Sequence, residues 1–216
     1  MVEQADRWFD ASDVTSMFPT LVWRFDLKAA RRDAINSSIG ALLGDLRRGT
    51  RPLAAGEGWQ SEPEQALHAR EELRVLADCV NDATGSILRF LRIGYDAFEI
   101  TGSWATILAP GAAHRMHSHP NNFLSAVYYV QTGSGADTIN FHDPRVQTGI
   151  IRPPVVELTD ANTDQVVVRV QAGTLLVFPA YLLHSVSLNT SAQERISLSF
   201  NIMFSAFTEK VSKPLW

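Results

Sequence analysis

Two hydrophobic periods divide the chain. After an irregular stretch over residues 1–20, Thr20-Leu21-Val22-Trp23-Arg24-Phe25 alternates and predicts a short strand ended by Asp26. Over residues 27–48 the period lengthens, with Ile35, Ile39, Leu42, Leu43 and Leu46 recurring three or four positions apart, which predicts an amphipathic helix. A Gly- and Pro-containing loop follows, and the segment GEGWQS over 56–61 reads as turn-rich. Ser61, followed by Glu62 and Pro63, opens a second helical run through Leu67, Leu73, Leu76, Val80, Ile87 and Leu91. Beyond about residue 95 the pattern changes to short β-branched and aromatic runs parted by turn signals: 97–109, 123–131, 138–141, 155–158, 165–170, 174–178, 184–188 and 195–204. This order predicts a mainly β fold with N-terminal helices, a sandwich or jelly roll. The expectation is one domain over 1–216, with the helical portion 1–94 packing on a sheet of the core over 95–205.

Composition narrows the partners. With 45% hydrophobic residues in 216, the chain can bury a full core. Its net charge of −4 comes without a run of like charge or a Lys/Arg cluster interleaved with aromatics, so nucleic acid is not an expected partner. No stretch of 18 apolar residues occurs, and MVEQADRWFD lacks the basic flank and apolar run of a signal peptide. A cytoplasmic protein with no membrane contact is expected, and a homodimer is the base-rate assembly. Cys79 is the single cysteine, which excludes an internal disulfide framework and thiolate-rich metal sites. A metal here would rest on imidazole and carboxylate, so histidine is the residue to follow.

The densest candidate chemistry is HRMHSHPNN, where His114, His117 and His119 follow a strand end marked by Pro110-Gly111. In an extended segment, positions two apart share a face, so His117 and His119 can point into one cavity as metal ligands. A polar loop with solvated histidines is the other reading. His184, in GTLLVFPAYLLHSV, sits where a buried apolar strand turns at Phe178-Pro179 and resumes. Alone it would read as a hydrogen-bonded core residue; with the first cluster it points to metal. Eleven residues on, Arg195 and Ser197 share a strand face continued by Ser199 and Asn201. A guanidinium facing into a barrel needs an anion, either a neighbouring acidic side chain or the carboxylate of a bound cosubstrate.

These landmarks, in the order GWQS, HSHP, VYYV, FHDPR, TLLVFPAYLLHSV and RISLSFN, resemble a bacterial and phage group of 2-oxoglutarate/Fe(II) oxygenases from about residue 18 to 204. The resemblance implies a double-stranded β-helix, a cupin-like jelly roll, in which iron(II) is held by the HSH segment and His184. Arg195, aided by Ser197, would bind the distal carboxylate of 2-oxoglutarate. Tyr129 matches a position where related enzymes place a cosubstrate-binding tyrosine, although its neighbour Tyr128 competes for the inward face. The implied reaction is hydroxylase-type C–H oxidation of a small molecule or peptide, coupled to decarboxylation of 2-oxoglutarate to succinate. One departure stands out: the usual triad is His-x-Asp/Glu with a distant His, and His119 occupies the carboxylate's place. That gives His117, His119 and His184 as the metal set, with water, Asp143 or His142 as alternatives for the third ligand. Trp104, Phe141 and Phe200 are expected to fill the barrel, and Trp59 and Gln60 either border the pocket mouth or cap a turn. Two rival functions remain: a three-histidine cupin dioxygenase that uses no 2-oxoglutarate, and a metal-free sandwich that binds a partner or sugar.

Overall fold

Alternation decides which side of each strand meets the helices and which side meets the barrel interior. The computed structural model describes residues 11–62, 65–94, 97–145 and 153–205. Its strands are β1 (Trp23–Asp26), β2 (Gly58–Gln60), β3 (Phe98–Leu108), β4 (His114–His117), β5 (Leu124–Gln131), β6 (Thr138–His142), β7 (Gln165–Arg169), β8 (Thr174–Pro179), β9 (His184–Val186) and β10 (Arg195–Phe204). They form a six-stranded sheet, β1-β8-β5-β10-β3-β2, and a four-stranded sheet, β4-β9-β6-β7, with every recorded pairing antiparallel. This is the jelly roll expected, with the two helices α1 (Ala29–Leu46) and α2 (Arg74–Phe90) ahead of most of the strands.

The larger sheet is buried on both faces. Leu124, Ala126 and Tyr128 of β5, Leu175 and Val177 of β8, and Leu198, Phe200 and Ile202 of β10 face Ile35, Ile39 and Leu42 of α1 and Val80 and Ile87 of α2. The alternate positions, Val127 and Tyr129 of β5 with Leu176 and Phe178 of β8, face inward toward Ile139 and Phe141 of β6. This two-sided burial explains why β5 and β8 read as continuous apolar runs rather than alternating ones. A polar clamp adds register to the apolar contact: the Asn36 amide donates to the Val130 carbonyl at 2.9 Å and accepts from the Tyr128 hydroxyl at 2.7 Å. At the end of α2, Arg92 takes the left-handed conformation (φ 57°) and the Ile93 N–H reaches back to the Leu88 carbonyl at 3.0 Å, closing the helix.

Four local expectations need correction. The second helical run is not continuous from residue 61: two single 3₁₀ turns, Leu67–Ala69 and Glu71–Leu73, precede α2. Ala66 at φ 41° and Arg70 in an extended conformation break the α ladder, and the His68 N–H is taken by the Ser103 hydroxyl at 2.7 Å. Leu67 and Leu73 are nonetheless fully buried, which is why the period looked helical. The turn-rich GWQS instead contributes β2, paired through Trp59 and Ile107 to the edge of β3, where Gly58 leaves room for the Leu108 side chain. No strand forms over 155–158. Pro153 and Pro154 withhold donors, Val156 is wholly exposed, and the Asn162 side chain organises the segment as a loop by bonding the Glu157 carbonyl and the Thr159 N–H. Phe200, finally, packs under the helices rather than in the barrel.

Ile39 has no solvent exposure and sits between α1 and the sheet. Ile39→Ala should therefore lower unfolding free energy by about 2–5 kcal/mol, read as a lower urea midpoint with an unchanged slope.

Candidate active site

β4, the turn after it and β9 bring three imidazoles together. Their antiparallel pairing sets His117 at the end of β4 opposite His184 at the start of β9. His119 lies two residues past β4 in the turn toward β5, where its N–H donates to the Ala180 carbonyl at 2.9 Å. One ring nitrogen from each of His117, His119 and His184 lies within 4.8 Å of the others. The His119 and His184 Nε2 atoms are 3.4 Å apart.

Backbone carbonyls fix two of the tautomers. A carbonyl only accepts, so the Nδ1–H of His117 donates to Arg115 at 2.8 Å and that of His184 donates to Leu182 at 2.9 Å. Both rings then present a bare Nε2 to the centre, the arrangement that metal-ligating histidines show. His119 is held differently: its ring is stacked between Trp104 (5.4 Å, 28°) and His184 (5.2 Å, 13°). Burial, reinforced by the neighbouring imidazoles, pushes His184 down to about 3 and His119 to about 4, so both are neutral bases near pH 7. The other candidates for a third ligand point elsewhere. Asp143 forms a two-pronged ion pair with Arg145 at 2.7 Å, and His142 Nε2 bonds the Ser185 hydroxyl at 2.9 Å.

The opposite end of the same cavity carries an uncompensated cation. Arg195, Ser197 and Ser199 share the inward face of β10, while Leu198 and Phe200 face the helices. Arg195 is 2% exposed; its Nη1 meets the Ser197 hydroxyl at 3.4 Å, and its Nε and Nη2 have no partner. Among the described residues no carboxylate pairs with it. A buried charge without a partner costs on the order of 3–5 kcal/mol, so the position calls for an anion. Burial draws Arg195 below its ordinary value and raises Tyr129 to about 12, leaving the phenol a protonated donor. The Arg195 guanidinium lies 5.0 Å from the Tyr129 ring centroid, near enough to interact with its phenol, and the buried Tyr129 hydroxyl has no partner at full hydrogen-bonding geometry. Tyr128 faces the helices, so register resolves the choice between the two tyrosines in favour of Tyr129 as the inward one.

Several expectations shift here. Trp104 is not barrel filling; it walls the cavity against His119. Trp59 lies on the helix side under the Arg47 guanidinium (5.9 Å), neither at the pocket mouth nor in a turn, whereas Gln60 is exposed and opposite Thr106. Phe141 does line the interior, edge-on to Phe178 at 5.0 Å. Asn189 has no sequence signal beyond a turn-type residue. Its side chain donates to the Leu108 and Gln193 carbonyls at 3.0 and 2.8 Å, tying the end of β3 to the approach to Arg195. The Pro110-Gly111 turn completes this junction; Gly111 (φ 83°) comes so close to Gly56 that a Cβ would sit 3.2 Å from its nitrogen.

The neutral imidazoles give the metal-free protein a pH signature. Groups whose folded pKa lies below the unfolded value contribute stability that is present above about 6.5 and is lost as pH falls. With chelator present, the melting temperature should fall between pH 7 and 5, and His184→Gln should flatten that decline.

No curated protein matches the sequence. Among solved structures, the chain is similar to the non-haem alpha ketoglutarate-dependent carbocyclase SnoK from nogalamycin biosynthesis, with 17% identity, a TM-score of 0.58, and coverage of 86% of this chain and 80% of that one. The epimerase SnoN, solved with Fe3+, alpha ketoglutarate and nogalamycin RO, gives 14%, 0.59, 86% and 80%. A Pseudomonas putida prolyl-4-hydroxylase gives 18%, 0.54, 86% and 93%. At these identities the likeness establishes the fold. Residues 102–201, the stretch that contains the converging histidines and Arg195, match the family described as "Putative 2OG-Fe(II) oxygenase".

Proposed function

We propose that this chain is a non-haem iron(II), 2-oxoglutarate-dependent oxygenase, with His117, His119 and His184 as the metal ligands and Arg195, Ser197 and Tyr129 as the cosubstrate site. The observation that carries the reading is the unpaired Arg195 in the same cavity as His117 and His184. The family match and the Fe3+ and alpha ketoglutarate in SnoN support it. The donor set fits: the fixed tautomers offer bare nitrogens, and imidazole suits iron(II). When bound, the metal and cosubstrate supply the decarboxylation that drives C–H oxidation.

The chain's own contribution is orientation and charge. Arg195 would pair with one carboxylate of the cosubstrate and remove the cost of its own burial. Ser197 and Tyr129 would donate to the same oxygens, since both hydroxyls face that end and Tyr129 stays protonated. Phe141 and Phe178 keep the wall beside His184 apolar. The substrate would be a small molecule or a peptide rather than nucleic acid. No described helix is long and apolar enough to cross a membrane, and a cytoplasmic location is part of the proposal.

The all-imidazole set also favours a second reading, a three-histidine dioxygenase that works without 2-oxoglutarate. One titration separates them. Anaerobic, iron(II)-loaded protein mixed with 2-oxoglutarate should develop the weak visible charge-transfer band of the chelate, and Arg195→Ala and His184→Ala should each abolish it. Iron binding with no band would shift the assignment to the second reading. Absence of iron binding would leave a β-sandwich binding protein.

The three ligands are not equivalent, because His119 lacks the carbonyl anchor of the other two. His119→Ala should weaken iron affinity by about tenfold less than His184→Ala does, as measured by competition with a chelating dye.

A further inference from the structure

A fourth imidazole enters the same cavity, and neither the metal set nor the anion set uses it. His114 opens β4, three residues before His117, and β4 pairs with β9 through His114 opposite Val186 and His117 opposite His184. Three residues on β4 therefore span two on β9, an irregularity that turns both His114 and His117 toward the interior. The two rings lie 4.4 Å apart. His114 lines the cavity together with His117, His184, Arg195 and Ser197, so its half-buried ring belongs to the space bounded by the metal end and the guanidinium end.

Its chemistry is unspent. The ring of His117 uses Arg115 and that of His184 uses Leu182, but His114 makes no side-chain hydrogen bond in the described structure. A neutral imidazole carries one N–H donor and one bare nitrogen. The cavity it lines also holds Arg195, two other imidazoles and the hydroxyls of Thr106, Ser197 and Ser199, and no carboxylate among the described residues lines it. An acceptor oxygen placed in the cavity for Arg195 would also be open to this N–H, which lines the same space.

We propose that His114 is a cosubstrate-binding residue, its ring N–H donating to a carboxylate oxygen of the dicarboxylate held by Arg195. The inference rests on the oxygenase reading and extends it to a residue outside the metal triad. His114 would add a directional donor on the β4 side of the anion, in the cavity it shares with Arg195 and Ser197. The proton stays on His114 throughout, and no bond is made or broken.

The test compares wild type with His114→Ala, His114→Phe and His114→Gln, each loaded anaerobically with iron(II) and titrated with 2-oxoglutarate while the chelate band is followed. Iron affinity and thermal melting are measured alongside. Hydrogen bonds to charged groups are strong enough that Ala and Phe should raise the 2-oxoglutarate Kd on the order of tenfold or more. Gln, which keeps an N–H, should recover most of that loss, and iron affinity should stay at the wild-type value in all three. Equal 2-oxoglutarate affinity in all four proteins overturns the inference. Recovery by Phe but not Gln overturns it too, because the role would then be shape. Iron affinity falling in step with 2-oxoglutarate affinity makes His114 a metal ligand and also overturns it. These outcomes presuppose a band in the wild type; if the wild type forms none, the oxygenase reading itself fails and takes this inference with it.

Discussion

A guanidinium sealed inside a jelly roll with two nitrogens unpaired sets the terms for everything around it. Arg195 can hold that position because the strand that carries it is pinned from the other side. Leu198, Phe200 and Ile202 of β10 are buried against α1 and α2, and β10 is bonded along its length to β3 and β5. The strand cannot rotate Arg195 to solvent without pulling those side chains out of the core, at about 1.5–3 kcal/mol each. The apolar face of the sheet thus holds a charge on its polar face. The N-terminal helices serve the site in this way without touching it.

The histidine end obeys a different constraint, that of pairing two short strands. β4 and β9 are only four and three residues long, and their register brings His117 and His184 side by side. Each ring is then locked by a carbonyl two residues earlier in its own chain, Arg115 for His117 and Leu182 for His184. Backbone geometry, rather than a separate set of side chains, therefore selects the tautomers. His119 falls outside the strand, beyond the reach of that device, and stacking against Trp104 substitutes for it.

Much of this was legible in the sequence because it depends on alternation and order. The inward face of Arg195, Ser197 and Ser199 follows from a period of two along β10, and the order of the two histidine clusters flagged their convergence, although His119 reaches the centre from the turn past β4 rather than from a strand position. What was hidden depends on partners far away in the chain. GWQS carries turn residues, yet β3 offers an unpaired edge and Gly58 fits close to Leu108, so tertiary pairing overrides the local signal. The run from Ser61 keeps a helical spacing of leucines although its backbone is broken at Ala66 and Arg70, because 3₁₀ turns bury nearly the same positions. Val155, Val156 and Leu158 have strand-like composition but pair with no strand among the described residues. Choosing Tyr129 over Tyr128 needed the register of β5 against β10, which no local pattern contains.

Charge arithmetic links the two ends. In the usual triad a carboxylate offsets part of the metal's charge, and the dicarboxylate cosubstrate together with the arginine completes a neutral set. With His119 in the carboxylate's place, as proposed, all three donors would be neutral and the filled pocket would carry one positive charge more. Inside the barrel, away from bulk water, such an excess would be felt by the titratable groups within reach. Burial and the neighbouring His117 and Arg195 hold His114 below its ordinary value, as burial and adjacent rings do for His119 and His184. A charged His114 ring would add repulsion to an already cationic site, whereas a neutral ring adds a dipole that can be directed at the anion. The excess charge and the neutral imidazoles are consistent with each other: on the proposed reading the site would attract a dianion and bind it through dipoles and one guanidinium, without drawing in a proton that would compete with the metal.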